Sequence, residues 1–434
     1  MSRLLYTILY SLLLPFILLR LLWRARLAPA YRQRWRERFG LFPAPAFDHS
    51  KPVIWLHAVS VGETLAAVPL IKKLQQDHPN WQWVITTTTP TGSDRVRAVF
   101  GDTVFHVYAP YDLPIFLRAF LQRTTPALLI VMETELWPNT IHSCRQRNIP
   151  VVIANARLSE KSARGYAKFP TLTRNMLHEI HCVAAQQHTD GERFVALGLP
   201  REKLFVTGSI KFDLTLDEAV QKKTTALRAQ WSQHNTRPVW LAASTHLGED
   251  SVILDTFTQL KKQFSDLLLV IVPRHPERFS TVTAQCESTG LSVQRHSQQL
   301  TPDMDTDIII GDTMGELMAF YGAADIAFVG GSLVPVGGHN LIEPAAWACP
   351  IISGPHLFNF SEVETLLRDN NALTIAKNAN DMAQHIQQWL TDAPLRTSTG
   401  ERAKAVADSN RGALNKLCSL IDVTLVPPMS SPME

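Results

Sequence analysis

The chain predicts two doubly wound α/β domains behind an apolar anchor helix. Short apolar runs alternate with helix-periodic segments from Val53 to Ile352, the pattern of parallel sheets covered on both faces. The alternation pauses once, over the polar stretch Leu214 to Pro238, and then resumes. Ahead of both sets, Leu4 to Trp23 is almost wholly apolar. At roughly 100–200 residues per domain, a chain of 434 residues accommodates two. The division read from sequence is an anchor with a basic flank over 1–40, a first domain over 41–213, a linker over 214–238, a second domain over 239–420 and a flexible tail over 421–434.

The N-terminal segment is about 20 residues long, near the minimum for crossing a bilayer. Arg24, Arg26, Arg32, Arg34, Arg36 and Arg38 follow it, opposed only by Glu37. Basic residues directly after an apolar segment stay in the cytoplasm and attract anionic lipid head groups. The flank carries arginine where a cleavable signal peptide needs small residues, so an uncleaved anchor is expected, spanning or lying in the interface, with the bulk of the chain facing the cytoplasm. A buried core helix is the plainer alternative, and the arginines argue against it.

After a proline-rich linker from Leu41 to Ser50, Val53 to His57 reads as a strand. Thr64 to Gln76 reads as a helix, with Leu65, Val68, Ile71 and Leu74 in helical period. Strands are expected over Trp83–Thr87, Val104–Tyr108, Leu128–Met132, Val151–Ala154, Cys182–Ala185 and Leu204–Val206, with a helix near Ser93–Phe100. The second set runs through Val239–Ala242, Leu267–Ile271, Ile308–Ile310, Ile326–Val329 and Pro350–Ile352. The polar Leu214–Pro238 stretch is expected to hold a surface helix and the connection, and the tail from Pro427 to be disordered. A ligand is expected in the cleft between the domains, where both sets of strand ends meet.

Composition removes several classes. A net charge of +3 is too small to argue for nucleic acid. The five cysteines, Cys144, Cys182, Cys286, Cys349 and Cys418, are scattered and form no Cys-x-x-Cys pair, so reduced, packed thiols are expected. No His-Glu-x-x-His, EF-hand or Walker A run is present.

Most of the chemistry-bearing residues follow strands. Ser60-Val61-Gly62-Glu63 opens the first helix, and a carboxylate there is normally held as the anion, suited to accept a proton. Its plainer reading is a helix cap. Glu133-Thr134-Glu135 ends the Leu128 strand; paired carboxylates are costly to bury without partners, and Arg157 is a candidate partner. Glu135 as a helix cap near Pro138 competes with a functional role. Lys211, in Gly208-Ser209-Ile210-Lys211-Phe212-Asp213, is either a solvated lysine or a counter to phosphate charge.

In the second half Ser244-Thr245-His246 with Gly248-Glu249, Pro273-Arg274-His275, and Gly311 through Leu317 each follow a strand. Arg274 can grip phosphate in bidentate fashion, whereas Glu277 and Arg278 read as a solvated helix face. The richest stretch is Val329 to Phe360. A strand runs into Gly330-Gly331 and Gly337-Gly338, and His339, Asn340 and Glu343 follow as a helix begins. Glycine admits close approach of backbone to a ligand, a helix N-terminus attracts phosphate, and a carboxylate there accepts from ribose hydroxyls.

Together these motifs resemble the bacterial 3-deoxy-D-manno-octulosonic acid (Kdo) transferases. The resemblance rests on SVGE at Ser60–Glu63, ETELWPN from Glu133, NARLS from Asn155, GSIKFD from Gly208, PRHPERF from Pro273, GDTMGEL from Gly311 and GGHN at Gly337–Asn340 with Glu343. It covers essentially the whole chain. It implies a GT-B glycosyltransferase of two Rossmann-like domains, the first for the acceptor and the second for the donor. The implied donor is CMP-Kdo. The implied acceptor is the tetraacyldisaccharide lipid A precursor (lipid IVA) of lipopolysaccharide biosynthesis, at its 6′-hydroxyl, with inversion at the anomeric carbon. By position, Glu63 matches the family's base, and Glu133 and Lys211 match residues that stabilise the transition state. Pro273, Arg274, Met314, Gly315, Glu316, Asn340, Leu341, Ile342 and Glu343 match its CMP-binding segments. No metal is expected, since a departing monophosphate needs less charge neutralisation than a diphosphate and Asp303-Met304-Asp305 lies in a polar loop. Competing readings are a nucleotide-sugar 2-epimerase of the same architecture, a related membrane-associated glycosyltransferase with another acceptor, and a non-catalytic nucleotide-binding module.

Overall fold

The computed structural model describes residues 1–27, 29–214, 216–232 and 237–425. The tail expected from Pro427 lies outside them. The chain forms two compact units, Met1–Asp213 together with the segment from Arg411, and Leu214–Asn410.

The first unit carries a sheet of seven strands: β1 (Val53–His57), β2 (Gln82–Thr87), β3 (Phe105–Tyr108), β4 (Leu128–Met132), β5 (Val151–Ala156), β6 (Cys182–Ala185) and β7 (Leu204–Val206). Their order is β3-β2-β1-β4-β5-β6-β7, and every pairing is parallel. Both faces are covered, which is why the central strands read as continuous apolar runs. Alternate residues of β1 feed two cores. Ile54 and Leu56 join Leu70, Ile71 and Leu74 of helix α2 (Val61–Asp77). Val53 and Trp55 join Phe120, Ile141 and Leu177 on the opposite face.

Leu417, Cys418 and Ile421, in the helix Ala413–Leu425, belong to the first of these cores. The Asp213 carboxylate accepts from the backbone N–H groups of Gly412 and Leu414, fastening that helix at its start. The sequence reading gave residues through 420 to the second domain and 421–434 to a flexible tail; the helix instead runs on to Leu425, and its apolar face is completed by the first unit.

The second unit holds β8 (Val239–Thr245), β9 (Leu268–Pro273), β10 (Val293–Arg295), β11 (Ile308–Ile310), β12 (Ile326–Val329), β13 (Ile351–Ser353) and β14 (Leu373–Ile375). The order is β10-β11-β9-β8-β12-β13-β14, again wholly parallel. The strands β10 and β14 were not expected. They are half-buried edge strands of three residues and offer no apolar run to read. Within the polar linker, helix Glu218–Trp231 buries Leu227 and Trp231, and Arg228 pairs with Asp325 at 2.9 Å, so this segment packs into the second unit.

Ahead of the first sheet runs helix α1 (Arg3–Leu27), long and apolar enough to cross a membrane, with its apolar window unburied. Each sheet reverses its winding at one place, between β1 and β4 and between β8 and β12. In doubly wound sheets, ligands bind outside the strand ends at such a point.

Candidate active site

Glu63 and Glu133 flank the first reversal, following β1 and β4. Ser60 caps α2: its Oγ accepts from Glu63 N at 3.3 Å and donates to Glu63 Oε1 at 2.9 Å. The other carboxylate oxygen accepts from the Val59 N–H at 2.7 Å. Two donors thus fix the carboxylate in a largely buried place. The sequence argument expected a firmly ionised group. Burial instead pushes the Glu63 carboxyl up to about 7, against the pull of Val59 and Ser60, and the nearby Glu133 and Glu135 add to the rise. Capping geometry and a proton-accepting poise coexist in one side chain.

Glu133 sits in the left-handed region, φ 56°, directly after β4. A non-glycine residue held there carries backbone strain, which concentrates at functional positions. Its Oε1 lies 4.0 Å from Lys211 Nζ. Lys211 rides on the short turn Ile210–Phe212, and Asn155, itself at φ 53°, holds that turn by accepting from Ile210 N at 3.2 Å. Asn155 was quoted in sequence only as part of a motif; its position just before the strand's last residue was the available hint. Lys211 is thus a cation beside Glu133, and Arg157 contributes its backbone carbonyl to Thr134.

Glu135 does not cap the Pro138–Arg145 helix. Its carboxylate accepts from Trp137 Nε1 at 3.0 Å, and burial raises its pKa. The cap is Asp112, which accepts from Asn139 N at 3.0 Å and from Thr140 N and Oγ1 at 2.7 Å each. Nothing in the local sequence pairs these elements, because they meet only through the fold.

In the second unit, Pro273 ends β9 and Arg274 follows, exposed, with its N–H on the Thr245 carbonyl at 3.0 Å. Met314 and Gly315 form an exposed bend, with Gly315 at φ 83°, ahead of the helix Leu317–Ala323. Glu316 is spoken for: Thr313 and Lys223 hold its carboxylate, and His296 Nε2 stands at 3.0 Å. Asn340 opens the helix Ile342–Ala346, accepting from Ile342 N at 3.0 Å and donating to Glu343 at 3.2 Å. Burial raises the Glu343 pKa, while Asn340 and the Arg274 charge restrain it. The side chains of Leu341 and Ile342 are core, so only their backbone is available to a ligand.

The glycine-rich loop after β12 is held from within the protein. The N–H groups of Gly331, Ser332 and Leu333 all donate to the Glu249 carboxylate, at 2.7, 2.9 and 2.9 Å, and His246 N joins them at 2.8 Å. Glu249 is fully buried. Gly330 is required here by close approach: a Cβ would stand 2.5 Å from the Ser244 carbonyl and 2.9 Å from Glu249. Nearby, His246 and His339 share a proton position, Nε2 to Nε2 at 2.8 Å, and His275 meets His246 edge-on at 5.3 Å. Burial holds His339 down at about 4, with Arg274 and the other two histidines adding to the effect. The three histidines each follow a strand of the same sheet edge, a regularity visible in sequence but not used there. Arg278 is no solvated face: it donates to the Thr245 carbonyl at 2.6 Å and pairs with buried Asp250. Among the described residues, no group of three or more His, Cys, Asp or Glu side chains is placed to hold a metal ion. All five cysteines are buried and free.

Two Rossmann-like parallel sheets with carboxylates and a lysine at one switch point, and a histidine- and arginine-lined edge at the other, have the architecture of the GT-B glycosyltransferases. The profile for 3-deoxy-D-manno-octulosonic-acid transferase matches residues 33–214, and that for glycosyl transferases group 1 matches residues 251–406. The 3-deoxy-D-manno-octulosonic acid transferase of Haemophilus influenzae is 44% identical over 97% of this chain and 98% of its own length. That of Bordetella pertussis is 34% identical over 97% and 99%. A solved structure described as a putative UDP-N-acetylglucosamine 2-epimerase from Listeria monocytogenes shares the fold, with a TM-score of 0.55 at 13% identity over 88% of this chain and 99% of its own. The chain belongs to the 3-deoxy-D-manno-octulosonic acid transferase family.

Proposed function

We propose that the protein transfers Kdo from CMP-Kdo to the 6′-hydroxyl of the acylated disaccharide lipid A precursor, inverting the anomeric carbon, with Glu63 as general base. The observation that carries the reading is the Glu63 carboxyl, fixed by Val59 and Ser60 at the switch point with a pKa near 7. A base is most effective when its pKa lies near the working pH. The acceptor oxygen loses its proton to Glu63 and bonds to the anomeric carbon, while the bond to the phosphate oxygen breaks and its electron pair leaves with CMP. Lys211, steadied by Glu133, offsets developing negative charge from the first unit, and Arg274 does so from the second. Asn340 and Glu343 are placed for the nucleoside, with Pro273, Met314, Gly315 and the Leu341–Ile342 backbone around it. Glu316, already engaged, positions its own loop.

No metal is needed in this scheme, because cationic side chains suffice for a departing monophosphate. The exposed apolar face of α1 and the exposed Arg24, Arg26, Arg32 and Arg36 hold the enzyme on the cytoplasmic side of the inner membrane, where an acylated acceptor resides, whereas Arg34 and Arg38 fold into the first unit. The test is product mass: detergent-solubilised protein, CMP-Kdo generated in situ, lipid A precursor and EDTA. A gain of one or more Kdo units supports the reading; no gain while CMP still binds rejects the acceptor, and no gain without CMP binding rejects the donor as well.

A further inference from the structure

A cavity of about 500 Å3 lies between α1 and the body of the first unit. That is within the ~300–1,000 Å3 typical of ligand pockets, and far larger than the voids of a close-packed interior. Its walls are largely aliphatic and aromatic: Ile17 of α1, Trp55 of β1, Leu129 and Val131 of β4, and Trp137 and Ile141 beyond them. It reaches Val59, whose N–H holds Glu63, and Glu135, two residues along the chain from Glu133.

One wall group is a largely buried cation. Arg38 is only 6% exposed; one of its terminal nitrogens donates to the Thr88 carbonyl at 2.9 Å, and its guanidinium lies 4.2 Å from the Tyr108 ring centroid. Its Nε–H has no acceptor. That nitrogen is itself closed off, but the guanidinium borders an apolar cavity, where an anionic group would offset its charge. Asp112, also in the wall, is already saturated by Tyr6, Asn139 and Thr140.

The outer wall comes from α1. Helix α1 touches the unit near its start, where Arg3 donates to Asn139 at 3.1 Å and Tyr6 to Asp112 at 2.9 Å, and again further along, where Tyr10, Ile17 and Arg20 line the cavity. Leu5, Leu12, Phe16, Leu19 and Trp23 are exposed on its other face. A helix docked along its length with an open apolar face lies in the membrane interface. An acyl chain can then pass from bilayer to cavity without crossing water.

We propose that this cavity receives one acyl chain of the acceptor, with Arg38 meeting an anionic group at its polar end. The proposal rests on the transfer reaction above and names how that reaction's lipid substrate is held. Chain capture orients the head group toward Glu63 and brings the anchor helix into the binding site itself.

The experiment is photolabelling of the full chain in detergent with a myristoyl lysophosphatidic acid bearing a diazirine in mid-chain, with Kdo transfer measured on the same preparation. Label is expected on peptides containing Trp55–Val59 and Leu129–Trp137, displaced by lipid A precursor and not by equal bilayer phospholipid. Ile17→Trp, which fills the cavity from the exposed helix, is expected to cut labelling and raise KM for the lipid acceptor at least tenfold while kcat stays within about twofold. Arg38→Gln is expected to raise the same KM, and Arg38→Lys to recover part of it. Label confined to α1 while transfer proceeds overturns the cavity assignment and leaves the reaction standing. Equal displacement by any phospholipid overturns the acceptor as occupant. Wild-type protein that transfers nothing overturns the reaction and this inference together.

Discussion

Glu249 Oε2 accepts the Gly331 N–H at 2.7 Å, so the glycine-rich loop is held by one of the protein's own carboxylates. The loop's shape is thereby set before any donor arrives. Replacing Glu249 with Ala strands several buried N–H groups at ~1–3 kcal/mol each, so a loss of several kcal/mol in stability is expected by urea unfolding. Glu249→Gln keeps one carbonyl acceptor and is expected to fold, but to weaken CMP binding by about tenfold, read by calorimetry. Unchanged CMP affinity in the Gln variant would separate the loop from the donor site.

The Lys211–Glu133 contact is expected to act in the transition state more than in the fold. Both side chains are about a third exposed, so their pairing adds little to stability. Removing one preorganised charge aimed at a reacting centre typically costs ~10²–10³ in rate. Lys211→Met should therefore lower single-turnover transfer by that factor with Tm within a degree or two, and Lys211→Arg should recover part of it. Equal losses in Tm and rate would make the pair structural.

Transfer should rise with pH through about 7, because Glu63 must be ionised to accept a proton. Stability runs the other way. The folded pKa lies above the ordinary 4.5, so the folded state binds the proton more tightly. The contribution is full below about 4.5 and is lost as pH rises through about 7. Unfolding titrations should show wild type losing stability over that window relative to Glu63→Gln, at up to ~1.4 kcal/mol per pH unit.

Asp112→Asn should loosen both the Pro138–Arg145 helix and the docking of α1, since one carboxylate serves Thr140, Asn139 and Tyr6. Hydrogen bonds to a charged group contribute ~1.5–3 kcal/mol, and a loss of that order is expected by chemical unfolding. Hydrogen exchange should show faster opening near Tyr6 in the variant.

Much of the site was legible because its residues follow apolar strands. Glu133 and Arg274 stand where a run of Val, Ile and Leu ends, and Glu63 and Asn340 stand at the helix starts that follow such strands. What the sequence could not show depends on partners remote in the chain. Glu249 reads locally as a helix-start charge, yet its donors lie beyond residue 330. The Ala413–Leu425 helix has an apolar face that fits either sheet, and Asp213 decides which. Arg278 looked solvated because Asp250, its partner, belongs to another strand–helix junction. The ionisation of Glu63 was misjudged because a helix start favours the anion while burial, invisible in one dimension, opposes it more strongly.

The most direct test of the central claim compares Glu63→Gln with wild type in two assays run side by side, Kdo transfer to lipid A precursor and CMP binding. General-base catalysis is typically worth ~10²–10⁴-fold. Transfer reduced by that factor with CMP affinity unchanged is the predicted result. Undiminished transfer by the Gln variant would contradict the assignment of Glu63 as the base.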